Sequence, residues 1–186
     1  MWKIIAKIIL GISGWSYNKN FPKDIKKGVM VAAPHTSNWD IFYALSALRL
    51  MGIPVRFTIK KEWMKPPLSI ILKALGAIPI DRKQKGLKRE SMVDAMVRLF
   101  DERDHLIILV TPEGTRKYAK RWRTGFYHVA KQANVPILLG YLDYSKKEAG
   151  ILMEPFYPSD DMNQDIEQIK DRYRGITARF PEQGVY

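Results

Sequence analysis

A histidine and an aspartate stand five residues apart in APHTSNWDIFYAL, Ala33 to Leu45, in a chain of 186 residues with three histidines. If His35 stays outside a helix that starts at Ser37 or Asn38, Asp40 falls in the first turn and its carboxylate reaches back to the imidazole. Such a pair can abstract a proton. The carboxylate fixes the tautomer and raises the basicity of the ring, and the other ring nitrogen takes a proton from an attacking hydroxyl. Five residues sweep about 500° around an α-helix, so the two side chains would share no face if both were helical. SNWD is also S-x-x-D, a capping-box pattern in which Ser37 and Asp40 satisfy a helix terminus, and the two uses are compatible. The pair supplies a base and its orienter but no nucleophile. The chain has no cysteine, which excludes a thiol nucleophile, disulfides and thiolate metal sites. No histidine pair has metal-ligand spacing, so no metal is expected, and His105 and His128 receive no role.

A second constellation is VTPEGTR, Val110 to Arg116. It follows an apolar strand, Pro112 ends the ladder, Gly114 allows a tight turn, and Glu113 and Arg116 project from the strand's carboxyl end. In an α/β sheet that edge is where ligands sit. A third candidate is Arg82, in IDR directly after another strand. Together Arg82 and Arg116 could grip a phosphate.

The elements that must position these groups alternate. Strands are expected over GVMVAAP, PVRFTIK, AIPI, HLIILV, VPILLGYLDY and GILMEPF. Helices are expected from Ile41 to Met51, over PPLSIILKALG, LKRESMVDAMVRLFDER and GFYHVAKQAN, and from a Ser159 cap through Phe180. This order predicts an α/β fold, a mixed, largely parallel sheet flanked by helices, in one domain over 1–186. Its parts are an N-terminal amphipathic helix over 1–15, a motif-bearing core over 28–143 and a C-terminal helix over 159–180. In the first helix Trp2, Ile5, Ile9 and Ile12 fall near one face, with Lys3 and Lys7 opposite. It is too short for the roughly 20 residues that span a bilayer, which favours lying at the interface.

The formal charge of +12 predicts an anionic partner: headgroups, phosphorylated metabolites, an acidic carrier protein or nucleic acid. RKYAKRWRTGFY, from Arg116 to Tyr127, interleaves Lys117, Lys120, Arg121 and Arg123 with Tyr118, Trp122 and Phe126. Such a mixture suits headgroup or donor-phosphate contact at a membrane surface, and it also suits nucleic acid. A non-catalytic basic binding module is therefore the alternative of a different class. A lipid esterase or thioesterase is a third, though no G-x-S-x-G segment supports it.

With HTSNWD, IDR, EGTR and VPI in this order and at these separations, the chain resembles the glycerolipid acyltransferase superfamily, best known for 1-acylglycerol-3-phosphate O-acyltransferases. The resemblance covers about Val29 to Asp143. It implies that His35 and Asp40 form the catalytic dyad and that Arg82, Glu113, Gly114, Thr115 and Arg116 bind the acceptor. Pro136 would be structural. It further implies acyl transfer from an acyl-CoA or acyl-carrier protein to a lysophospholipid, with no cofactor and no acyl-enzyme. On this view an aminolipid is an alternative acceptor, nucleic acid is not expected as a partner, and the protein works on the cytoplasmic face of a membrane, peripheral or monotopic.

Overall fold

The computed structural model describes residues 2–18, 21, 24–80, 91–152 and 154–185. Among these residues seven strands form one sheet: β1 (Ser16–Tyr17), β2 (Lys27–Ala32), β3 (Val55–Lys60), β4 (Ala77–Ile80), β5 (Leu106–Val110), β6 (Ile137–Asp143) and β7 (Glu148–Ile151). Their order across the sheet is β1-β7-β6-β2-β5-β3-β4. From β6 to β4 all neighbours are parallel; β7 alone pairs antiparallel with its neighbour β6, and β1 runs parallel to β7. The predicted mixed, largely parallel sheet is what the chain forms.

Among the described residues six α-helices accompany it: α1 (Trp2–Ser13), α2 (Trp39–Met51), α3 (Leu68–Leu75), α4 (Met92–Asp101), α5 (Gly125–Gln132) and α6 (Met162–Tyr173). Strand β2 is flanked by a strand on either side and apolar on both faces, as a buried parallel strand must be. Its Val29 and Val31 pack with Leu99 of α4, Phe126 of α5 and Ile169 of α6. Met30, pointing the other way, packs with Leu48 of α2 and Leu138. Helix α1 lies on the α2 side, where Leu10 joins Trp15, Ala47, Leu142 and Ala149.

Several boundaries differ from the sequence reading. Asp161, rather than Ser159, caps α6, its carboxylate accepting from Gln164 N at 3.0 Å. Ser159 instead donates N–H and O–H to the buried Asp165. The helix ends at Tyr173, so Ile176 and Phe180 lie beyond it. Strand β7 starts earlier and ends sooner than GILMEPF, because Phe156 only makes an isolated bridge to Ile137. Ser91 caps α4, accepting from Asp94 N at 3.1 Å. Leu87 lies outside the described residues.

The N-terminal helix forms where expected and docks by the face that carries Ala6 and Leu10. Its buried residues are Ala6 and Leu10, while Ile4, Ile5, Ile8 and Ile12 remain exposed, Ile12 at 86%. Burying an alanine and a leucine contributes on the order of 2–4 kcal/mol, so α1 can stay attached without its isoleucines.

Candidate active site

Parallel register brings the two polar loops together. Val31 of β2 pairs with Val110 of β5, so the chain leaves both strands at the same edge and in the same direction. The segment carrying His35 thereby lies beside the segment carrying Glu113. Sequence spacing alone gives no hint of this adjacency, since the loops are 78 residues apart.

His35 Nδ1 stands 3.0 Å from Oδ2 of Asp40. The same oxygen accepts from the N–H groups of Thr36 and Ser37, both at 2.9 Å. Oδ1 accepts from the hydroxyl of Tyr144 at 2.6 Å. Burial alone would push the Asp40 carboxyl up, but hydrogen bonds from His35, Tyr144 and Ser37 outweigh it and hold the group below the ordinary aspartate value. Asp40 is therefore an acceptor only, which makes Nδ1 the protonated ring nitrogen and leaves Nε2 with its lone pair. Position 38 holds the N-cap of α2, yet the Asn38 side chain makes no cap bond. Asp40 reaches back past the cap to the N–H groups of Thr36 and Ser37, while Ser37 Oγ accepts from Trp39 N at 3.2 Å.

Glu113 is buried and turned toward the same loop, both carboxylate oxygens accepting from His35 N at 3.2 and 3.0 Å. Burial pushes its carboxyl up to about 8; the His35 N–H opposes the rise and the charge on Asp40 adds to it. Between pH 4.5 and about 8 the folded protein keeps a proton on Glu113 that the unfolded chain has released. Stability from this group is complete below pH 4.5, declines as pH rises and is lost once the carboxyl ionises above about 8. Glu113→Gln retains an oxygen for His35 N but cannot ionise. A pH series of thermal unfolding should show Tm of the native protein falling by roughly 5–10 °C between about pH 5 and 9, and at most half that fall in the variant. Parallel curves would mean that Glu113 is not the titrating group.

Gly114 follows with φ +64°, a left-handed conformation that favours glycine, and a Cβ there would overlap the Arg123 guanidinium. Arg123 N donates to Pro112 O at 2.8 Å, folding the basic segment back over the loop. Arg116 Nη1 donates to Oδ1 of Asn38, which ties the two polar loops together. Thr115 is exposed, and its hydroxyl oxygen accepts from Lys117 N at 3.3 Å. Arg82 and its neighbour Asp81 lie outside the described residues.

The basic, aromatic segment divides into two parts. Trp122, Phe126 and Tyr127 are buried in the main core, so they are not surface aromatics. Arg116, Lys117, Lys120, Arg121 and Arg123 stay exposed, with Tyr118 beside them. His105 and His128 are exposed and distant in sequence from the pair. Among the described residues no cluster of three or more metal-ligating side chains occurs.

A cavity of about 530 Å³ opens at His35, Asp40 and Arg123. It runs beneath α2 across the sheet, between residues such as Leu45, Leu48, Met30, Leu109 and Phe57. The volume is that of a typical small-molecule site, mostly apolar with a few polar groups, the His35–Asp40 pair among them. Such an enclosure suits a long apolar chain whose reactive end lies at a base. Tyr144 is the site residue that sequence reasoning missed. It lies 104 residues beyond Asp40, in a turn with no motif of its own.

A sequence model of the family described as "Acyltransferase" matches residues 16–138. No curated protein matches the chain in sequence. Among solved structures, the chain is similar to the crystal structure of the 1-acyl-sn-glycerophosphate (LPA) acyltransferase PlsC from Thermotoga maritima. That match has a TM-score of 0.61 at 16% identity and covers 94% of this chain and 77% of that one. At that identity the likeness is one of fold.

Proposed function

The chain belongs to the acyltransferase family, and from that premise we propose that it moves a fatty acyl group from an acyl-CoA or acyl-carrier-protein thioester to a hydroxyl of a lysophospholipid such as 1-acylglycerol-3-phosphate. The observation that carries this reading is the His35–Asp40 pair at the polar end of an apolar cavity. His35 Nε2 takes the proton of the acceptor hydroxyl as its oxygen attacks the thioester carbonyl carbon. The tetrahedral intermediate collapses with cleavage of the carbon–sulfur bond, and the imidazolium returns its proton to the leaving thiolate. No acyl-enzyme forms, in keeping with the absence of cysteine. In this scheme Arg116, with Gly114 and Thr115 beside it, and Arg82 meet the acceptor's phosphate. Glu113 holds the backbone of His35 in place.

The test is purified protein supplied with acyl-CoA or acyl-carrier protein and a panel of lyso-acceptors, with products identified by lipid mass spectrometry. Acylated lysophosphatidate is the expected product. Acylation of an aminolipid alone would change the acceptor, and thioester hydrolysis without acceptor dependence would overturn the reading.

The same proposal places the protein at the cytoplasmic face of a membrane as a peripheral or monotopic enzyme. Among the described residues no helix is long and apolar enough to cross a bilayer. Support for surface attachment comes from the exposed Ile4, Ile5, Ile8 and Ile12 of α1, with Lys3 and Lys7 on the same helix. Changing Ile8 and Ile12 together to glutamate should lower binding to anionic phosphatidylglycerol vesicles by about tenfold or more, with circular dichroism unchanged. Equal co-sedimentation of native protein and variant would remove α1 from that role.

A further inference from the structure

We infer that Tyr144 is a positioning residue for the base: its hydroxyl clamps the far oxygen of Asp40 and so sets the orientation and strength of the carboxylate that directs His35. The inference rests on the acyl-transfer reading above. Asp40 Oδ2 receives His35, Thr36 N and Ser37 N, all from its own loop. Oδ1 receives Tyr144, which comes from the turn between β6 and β7. Without that fourth donor the carboxylate would be held at one oxygen and could pivot about it. With it, the plane of the group is fixed from two directions.

Tyr144 is itself fixed. Its ring meets Trp15 edge to face at 4.8 Å and Tyr43 at 6.3 Å, and Trp15 stacks on Tyr43 at 4.6 Å. Its N–H donates to Thr177 O at 2.8 Å. The preceding Asp143 closes the turn, Oδ1 accepting from Ser145 N at 3.0 Å and from Ser145 Oγ at 2.6 Å. This support exceeds what a surface tyrosine needs and places one hydroxyl on one carboxylate oxygen. Such a donor also draws charge from Asp40, leaving less to stabilise an imidazolium, so it moderates the base.

The other ionisable groups around the pair are known. Glu113 holds His35 N from the loop after β5, and Arg123 lines the same cavity from the segment before α5. Arg116 pairs with Asn38, Tyr43 contributes from α2, and Arg179 acts on Tyr144 from the segment after α6. From below the sheet Tyr173 donates to Val31 O and Gly140 O. None of these takes the place of Tyr144 on Oδ1 among the described contacts.

Tyr144→Phe removes the hydroxyl and keeps the ring against Trp15 and Tyr43. Ring-proton NMR titration suits the test because the chain has only three histidines, and His105 and His128 are exposed internal references. In the variant the His35 ring signals should titrate differently from those of the native protein while the two references stay put. The acid limb of kcat should follow that change, with kcat down about 5- to 20-fold and acceptor KM within about twofold. A merely structural role would lower Tm without moving the midpoint. An unmoved His35 midpoint overturns the inference, whether or not Tm falls. A moved midpoint in a protein whose native form transfers no acyl group leaves the clamp standing and overturns the acyl-transfer reading instead.

Discussion

Replacement of His35 by alanine is expected to lower acyl transfer by about 10²- to 10⁴-fold, the usual contribution of a positioned general base, while leaving the fold intact. The two halves of that expectation have separate grounds. The ring is the only group in the site with both an orienting carboxylate and a free lone pair among the described residues. Its side chain is 24% exposed and bonds to Asp40, so truncation opens no core cavity. Glu113 holds His35 through the backbone N–H, a bond that alanine keeps. Steady-state rates by lipid mass spectrometry, with Tm measured in parallel, decide the matter. A residual rate within tenfold of the native one would show that another group takes the proton.

Asp40→Asn is expected to lower both rate and stability, and the contrast with His35 is informative. The native carboxylate satisfies four donors with two oxygens. An amide offers one oxygen, and its NH₂ must face either the Tyr144 hydroxyl or the cluster of Thr36 N, Ser37 N and His35 Nδ1. If NH₂ takes the second place, two buried backbone donors lose their acceptor and the imidazole is driven to the tautomer with its proton on Nε2, where it cannot act as a base. A cost of about 2–4 kcal/mol in urea unfolding is expected, with a rate loss of about 10²- to 10⁴-fold. A variant as stable as the native protein would mean that the carboxylate does not hold the start of α2.

The dyad was legible because its two members are close in sequence and a helix start fixes their relation. The alternation of apolar runs was enough for the sheet and its flanking helices. The joint service of Ser37 and Asp40 at the helix start is legible as S-x-x-D, since Ser37 Oγ accepts from Trp39 N and Asp40 from Ser37 N; the further bond to Thr36 N is not. Here Asp40 serves Thr36 and Ser37 and orients His35 at once. For α1 the sequence leaves open whether the isoleucines face a membrane or the core; close approach to α2 takes Ala6 and Leu10, and Ile8 and Ile12 stay outside. Likewise Trp122, Phe126 and Tyr127 read as interface aromatics beside arginines, yet their partners are core residues contributed by distant helices. Tyr144 was invisible because its significance lies in a turn that tertiary packing brings to Asp40.

The strand that leads to the base is poorly placed to open alone. β2 is hydrogen-bonded to β5 along one edge and to β6 along the other, and Val29, Met30 and Val31 are each 0% exposed. Its amides belong to the part of a domain that exchanges with solvent only when the whole molecule unfolds. The loop holding His35 thus begins at a point with no local route to fraying. Motion of that loop therefore starts from a fixed point and leaves its root in place.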